Sequence, residues 1–175
     1  MEHPESKNRI IRAALDLLSQ SGLSGVGINQ VVAASAAPKG SIYHFFRGGK
    51  LELATVALEE AEQDEGQWFH GIFHQRESIA RKVELLFDDA AKNLEASAFM
   101  KGCPVAAVTL DLNRDSERLR AVCRAIFATW QDIIAAGLDE VPAAERREVA
   151  ELILATLEGA LLLSRDKSRA GPTAS

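Results

Sequence analysis

The segment INQVVAASAAPKGSIYHFFRGGK, from Ile28 to Lys50, constrains this chain more than any other. It reads as two short helices joined by a tight turn, with a third helix beginning at once. The first, about Ile28 to Ser35, turns Ile28, Val31 and Val32 inward. The second, Pro38 to Phe46, has a small polar first turn of Lys39, Gly40 and Ser41, and Pro38 is expected at N1, where its missing N–H costs nothing. Its inner face holds Ile42, Phe45 and Phe46, and its exposed side carries Tyr43 and His44. A helix with a small cationic N-terminal turn, anchored from behind by bulky residues, suits insertion into a DNA major groove.

The rest of the chain also reads as helix. Alternating apolar and polar residues are scarce, and Ala, Leu, Glu and Arg dominate. A first helix is expected from about Glu5 to Ser21, with Ile11, Leu15 and Leu18 on one face and Gly22 as its stop. A fourth is expected from Lys50 to the mid-60s, followed by an ambiguous stretch from Gln67 to Gln75. Further helices are expected over Ser78–Ala98, over Pro104–Leu112, from Asp115 or Ser116 to Ala136, and over Pro142–Ser164. The chain of 175 residues is 47% apolar, enough for a sizeable core, but no apolar run reaches the ~18 residues a membrane span needs. MEHPESKNR lacks the apolar stretch of a secretory signal, and Cys103 and Cys123 form neither metal-ligand spacing nor a disulfide frame. A cytoplasmic location is therefore expected.

The net charge of −5 is unevenly spread. Residues 1–50 hold six Lys/Arg against three acids, while the other 125 hold 14 against 22. A cationic head on an acidic body fits a nucleic-acid module joined to a body with a different task.

The stretches NRIIRAALDLLSQSG, INQVVAASA and PKGSIYHFF followed by GGK resemble the DNA-binding domain of TetR-type transcriptional repressors. APKGSIYHFFRGGK, GCPVAAVTLD and LEGALLLSR resemble the LmrA/YxaF branch of that family, so the resemblance covers most of the chain. It implies an all-α fold, with an N-terminal three-helix helix-turn-helix domain and a C-terminal helical ligand-binding and dimerisation domain. The expected bounds are 1–49 for the head, 50–165 for the body and 166–175 for a disordered tail. Two positions depart from the pattern. Ser35-Ala36-Ala37 stands where the turn carries Gly, which at φ > 0 costs Ala36 about 1 kcal/mol relative to Gly. Gly27, a weaker cap, replaces the usual Thr or Ser.

Lys39 is placed to reach guanine or a phosphate, Gly40 permits close approach, and Ser41 can bond a phosphate or base edge. Tyr43 and His44 look like the family's phosphate-facing pair. Lys50, opening the next helix, adds an ammonium to a positive helix end, and Gln30 is a further candidate for the DNA backbone. In the body, Trp68, Phe73, Phe87, Phe99, Met100, Phe127 and Trp130 are candidates to line an apolar effector cavity, with Phe127 and Trp130 on its wall; the same residues can simply fill a core. His70 and His74, spaced i, i+4 with Glu77 nearby, permit a metal site, but no metal, cofactor or catalytic residue is assigned. Cys103 reads as a small packed residue and Cys123 as core.

The expected function is a ligand-responsive dimeric repressor. It would bind a near-palindromic double-stranded operator and be released by a small apolar or aromatic effector, with the last two helices forming the homodimer interface as the resemblance implies. Two alternatives stand beside it: a helical metal-dependent enzyme, and a non-specific architectural DNA binder. The acidic body weighs against the second.

Overall fold

A computed structural model describes residues 4–113 and 116–167. The described residues form eight helices and no strand: α1 (Pro4–Ser21), α2 (Ile28–Ser35), α3 (Lys39–Phe45), α4 (Gly49–Phe73), α5 (Ile79–Ala96), α6 (Pro104–Leu110), α7 (Glu117–Ala136) and α8 (Arg146–Lys167). None is long and apolar enough to cross a membrane. The expected tail lies, from residue 168 onward, outside the described residues.

The chain divides into two compact units that are discontinuous in sequence. One comprises residues 1–61 and 104–126, the other 62–103 and 127–175. The structural division therefore differs from the functional bounds read at 49/50, because α4 begins in one unit and ends in the other, as does α7.

In the first unit α1 packs on α2, α3 and α6. Ile10, Ile11, Ala14 and Leu18 form its buried stripe, and Val31 of α2 and Ile42 of α3 are buried in the same unit. Gly22 ends α1 in the left-handed region at φ +65, with its N–H donated to the Leu18 carbonyl at 2.9 Å. The turn after α2 takes the conformation anticipated for it: Ala36 has φ 50 and ψ 29, a left-handed position held without glycine. Pro38 differs from expectation. Its ring fixes φ at −58 but leaves ψ free, and ψ is 137, so Pro38 caps the helix from outside and Lys39 becomes its first residue. The Pro38 carbonyl accepts the Ser41 N–H at 2.9 Å.

In the second unit the ambiguous stretch proves to be the last turns of α4, continuous to Phe73. Phe69, Ile72 and Phe73 are buried there, which makes the stretch a core-facing helix end. Ser78, expected to open α5, stands just outside it as the cap, its Oγ accepting the Arg81 N–H at 3.3 Å. Helix α8 begins four residues later than Pro142. The Arg146 guanidinium donates to the Val141 and Asp139 carbonyls at 3.0 and 3.2 Å, holding the preceding segment as a turn.

The end of α7 makes the closest glycine contact of this unit. Gly137 lies so close to α4 that a Cβ there would collide with the Phe73 carbonyl oxygen and stand 2.6 Å from the Phe73 Cβ. Lys82 of α5, almost wholly buried, donates its Nζ to the Gly137 carbonyl at 2.8 Å and sets a positive charge at the negative end of α7. Glu140 accepts the Ile79 N–H at 3.2 Å, tying the same loop to the start of α5. Gly137→Ala is expected to destabilise the protein by about 3 kcal/mol, since backbone must yield. Urea unfolding measures this, and a midpoint unchanged from the wild type would refute the packing described.

Candidate nucleic-acid interface and effector-binding body

Helix α3 has seven residues, too few to be stable alone. Its position comes from burial: Ile42 is 0% exposed and Phe46, just beyond the helix, 1%, while Phe45 is only half-buried and packs edge-on between His44 and Phe46. The opposite side faces outward. Lys39, Gly40 and His44 are exposed, Tyr43 is 52% exposed, and Ser41 is half-buried. A Cβ on Gly40 would meet nothing within 4 Å. No packing among the described residues therefore requires this glycine, and the surface over it is open.

Two candidates have additional work. The side-chain oxygen of Gln30 accepts the Gly27 N–H at 2.6 Å, and Gly27 has no side chain with which to reciprocate, so Gln30 supplies half a capping box at the start of α2. Lys50 is half-buried at the second position of α4. Beside it the Glu52 carboxylate accepts the Gly48 N–H at 2.6 Å, so an acid already sits at this helix start and competes with a phosphate there. Glu52 was missed in the sequence, although an acid in the first turn of a helix is a recognisable capping signal. Arg47, exposed between α3 and α4, adds a cation to the same segment.

In the body, Trp68, Phe69, Trp130 and Phe127 form a continuous aromatic run. Ring centroids are 5.0 Å apart for Trp68–Phe69, 5.8 Å for Phe69–Trp130 and 5.7 Å for Phe127–Trp130. Trp130 is buried and donates its Nε1–H to the Glu62 carbonyl at 3.2 Å. Phe73 is fully buried under Gly137, which makes it core and not an open wall. Trp68, Phe87, Phe99 and Phe127 are half-buried. Met100 is 56% exposed, because Ala98 and Phe99 take positive φ after α5 and turn the chain outward. His70 and His74 are exposed and stack at 3.8 Å, and no group of three or more His, Cys, Asp or Glu among the described residues could hold a metal ion.

The sequence reading also missed a pair of carboxylates. Glu65 of α4 is pushed up to about 7, first by burial, then by Glu158 of α8 and by Asp64. Burial likewise raises Glu158, against a hydrogen bond from Cys103 that lowers it. Cys103 is thus a partner of Glu158, while Cys123 is core, its thiol pushed up by burial. The signal for Glu158 lay in LATLEGALLL, where a lone acid interrupts an apolar run.

The comparisons with known proteins match this architecture along nearly the whole chain. Residues 79–172 match the model described as transcriptional regulator LmrA/YxaF-like, C-terminal domain, and residues 10–55 match that of bacterial regulatory proteins, tetR family. The chain belongs to the TetR family of transcriptional regulators. It is 31% identical to the HTH-type transcriptional regulator YxaF of Bacillus subtilis, over 91% of this chain and 85% of that protein. It is 28% identical to the HTH-type transcriptional regulator LmrA of the same organism, over 98% and 93%. A crystal structure of the regulatory protein TetR from Rhodobacter sphaeroides superposes with a TM-score of 0.82 and 25% identity, covering 92% of this chain and 89% of that one. TetR-family regulators of this kind are DNA-binding proteins and not enzymes, which removes the metal-dependent enzyme as an alternative.

The carboxylates of this TetR-family chain give a stability prediction. Glu65 binds its proton more tightly folded (about 7) than in its ordinary state at 4.5. Its contribution is therefore fully present below pH 4.5 and lost as pH rises through 7, on the order of 2 kcal/mol after allowance for its partial exposure. Glu65→Gln is expected to flatten that fall and to be more stable than the wild type at pH 8. Urea unfolding at pH 5 and pH 8 checks it; an equal pH dependence in both proteins would contradict it.

Proposed function

We propose that this chain is a dimeric, effector-released transcriptional repressor, acting in the cytoplasm on a near-palindromic operator. The observation that carries the reading is α3 itself: a short helix pinned by Ile42 and Phe46, with Lys39, Gly40, Tyr43 and His44 left exposed on its free side. Lys39 and Gly40 would enter the major groove, with Ser41, Tyr43 and His44 on base edges or flanking phosphates. Gln30 and Lys50 would touch the DNA backbone from α2 and α4.

One such helix reads too few base pairs to select a site, so a second copy is needed. Helix α8 carries a surface suited to it. Leu152 and Leu163 are 67% and 68% exposed, and with Thr156 and Gly159 they recur at i, i+4, i+7 and i+11. A Cβ at Gly159 would meet nothing within 4 Å, which leaves room for a close partner helix. The aromatic side chains of the body supply apolar surface for a small apolar or aromatic effector, with the half-buried Trp68 and Phe127 of the run, and Phe87 and Phe99 outside it, the best placed. An effector releases DNA only if it prefers the conformation that fits the operator poorly, and the shift would pass along α4 to Lys50.

The test is binding to a labelled fragment from upstream of the protein's own gene at two salt concentrations, against a scrambled fragment of equal length. A preference for the upstream fragment is expected to survive at both salts, although both affinities fall as salt rises. Lys39→Ala is expected to weaken binding about tenfold. A Lys39→Ala protein that binds as the wild type does would remove α3 from the interface. Separately, Leu163→Glu is expected to shift the protein from dimer to monomer by sedimentation equilibrium; a persisting dimer would place the interface elsewhere.

A further inference from the structure

The turn between α1 and α2 is the loosest part of the head in sequence. It has Gly22, Gly25 and Gly27 within six residues, with Leu23 and Val26 as its buried anchors. Its geometry nevertheless decides where α2 lies on α1, and hence where α3 points. One fixed point comes from far away in the chain. The Asp111 carboxylate, one residue past the end of α6, accepts the Ser24 N–H at 2.9 Å across a separation of 87 residues. The fit around it is close. A Cβ on Gly22 would collide with that same carboxylate and stand 3.1 Å from the Ala107 carbonyl of α6. Gly22 is thus required twice, by its φ of +65 and by the approach of α6. Helix α6 packs along α1, so Asp111 is delivered by a helix already seated on the head.

We propose that Asp111 is a positioning residue for operator binding: it fastens the glycine-rich α1–α2 turn to α6 and so sets the orientation of α2 and α3 without touching DNA. The role rests on DNA binding through α3. It predicts that a residue outside the 1–49 segment determines operator affinity through an accepted hydrogen bond and not through its charge. Asp111→Asn and Asp111→Ala separate these two, since both remove the charge but only Asn keeps a carbonyl acceptor for the Ser24 N–H.

The experiment uses the full chain and a duplex enriched by the wild type from a randomised library, with the active fraction of each protein set by stoichiometric titration. Asp111→Ala is expected to bind that duplex about tenfold more weakly with an unchanged salt slope, and Asp111→Asn within about threefold of wild type. Loss of negative charge alone would tighten both variants alike, and that result, or wild-type affinity in both, overturns the proposal. Hydrogen exchange in the wild type gives a second reading that needs no variant. The Ser24 amide is expected to exchange at least tenfold more slowly than an unprotected amide, although Ser24 itself is exposed, and free exchange overturns the clasp. If the wild type enriches no duplex, DNA reading by α3 fails and the positioning role falls with it. Slow Ser24 exchange would then show the clasp to be structural only.

Discussion

The exposed side of α3 depends on the burial of Ile42 and Phe46. Seven helical residues cannot hold a helix in water, because nucleation costs more than so few hydrogen bonds return. Two large apolar side chains removed almost wholly from solvent contribute roughly 2 kcal/mol each and fix the rotation of the helix about its axis. Once that rotation is fixed, Lys39, Gly40, Tyr43 and His44 face outward as a matter of geometry. The exposed surface of α3 is thus specified from behind. Lys39, Gly40 and Tyr43 lie exposed beside His44, which packs edge-on against Phe45.

The same head tolerates local costs where they do not disturb that anchor. Ala36 occupies a left-handed position that glycine would occupy without strain. Gly27 begins α2 without a capping side chain, and the Gln30 side chain accepts the Gly27 N–H from inside the helix. Asp111 and Glu52 work in the same way, each satisfying a backbone N–H in a glycine-rich turn from a helix end or first turn. The flexible joints of the head are therefore fixed one hydrogen bond at a time. In the body packing joins such bonds: Gly137 meets Phe73, while Lys82 and Glu140 hydrogen-bond the end of α7 and the start of α5.

Much of this was legible in the sequence, and the reasons are specific. The buried Ile11 and Leu18, the stop at Gly22 and the inward Val31, Ile42 and Phe46 follow from helical periodicity and turn chemistry, which are local. Leu15, Ile28, Val32 and Phe45, read on the same faces, are only half-buried. The run Gln67–Gln75 was opaque because its apolar residues, Trp68, Phe69, Ile72 and Phe73, sit among histidines, glycine and glutamines, and only tertiary burial declares it helix. Pro38 was placed one position too far into α3, since proline restricts φ and says nothing of ψ. The partners of Asp111, Lys82, Glu65 and Glu158 were invisible for a common reason. Each residue depends on a partner tens of residues away, and a single sequence carries no record of which distant groups meet.

The central claim is that α3, presented twice in a symmetric pair, reads DNA sequence. The most direct measurement is enrichment of duplexes from a randomised library by the purified full-length protein, followed by sequencing. The account predicts an inverted repeat, with half-site centres separated by about one helical turn or a small multiple of it. Enrichment of no sequence, or of a single asymmetric motif, would contradict it.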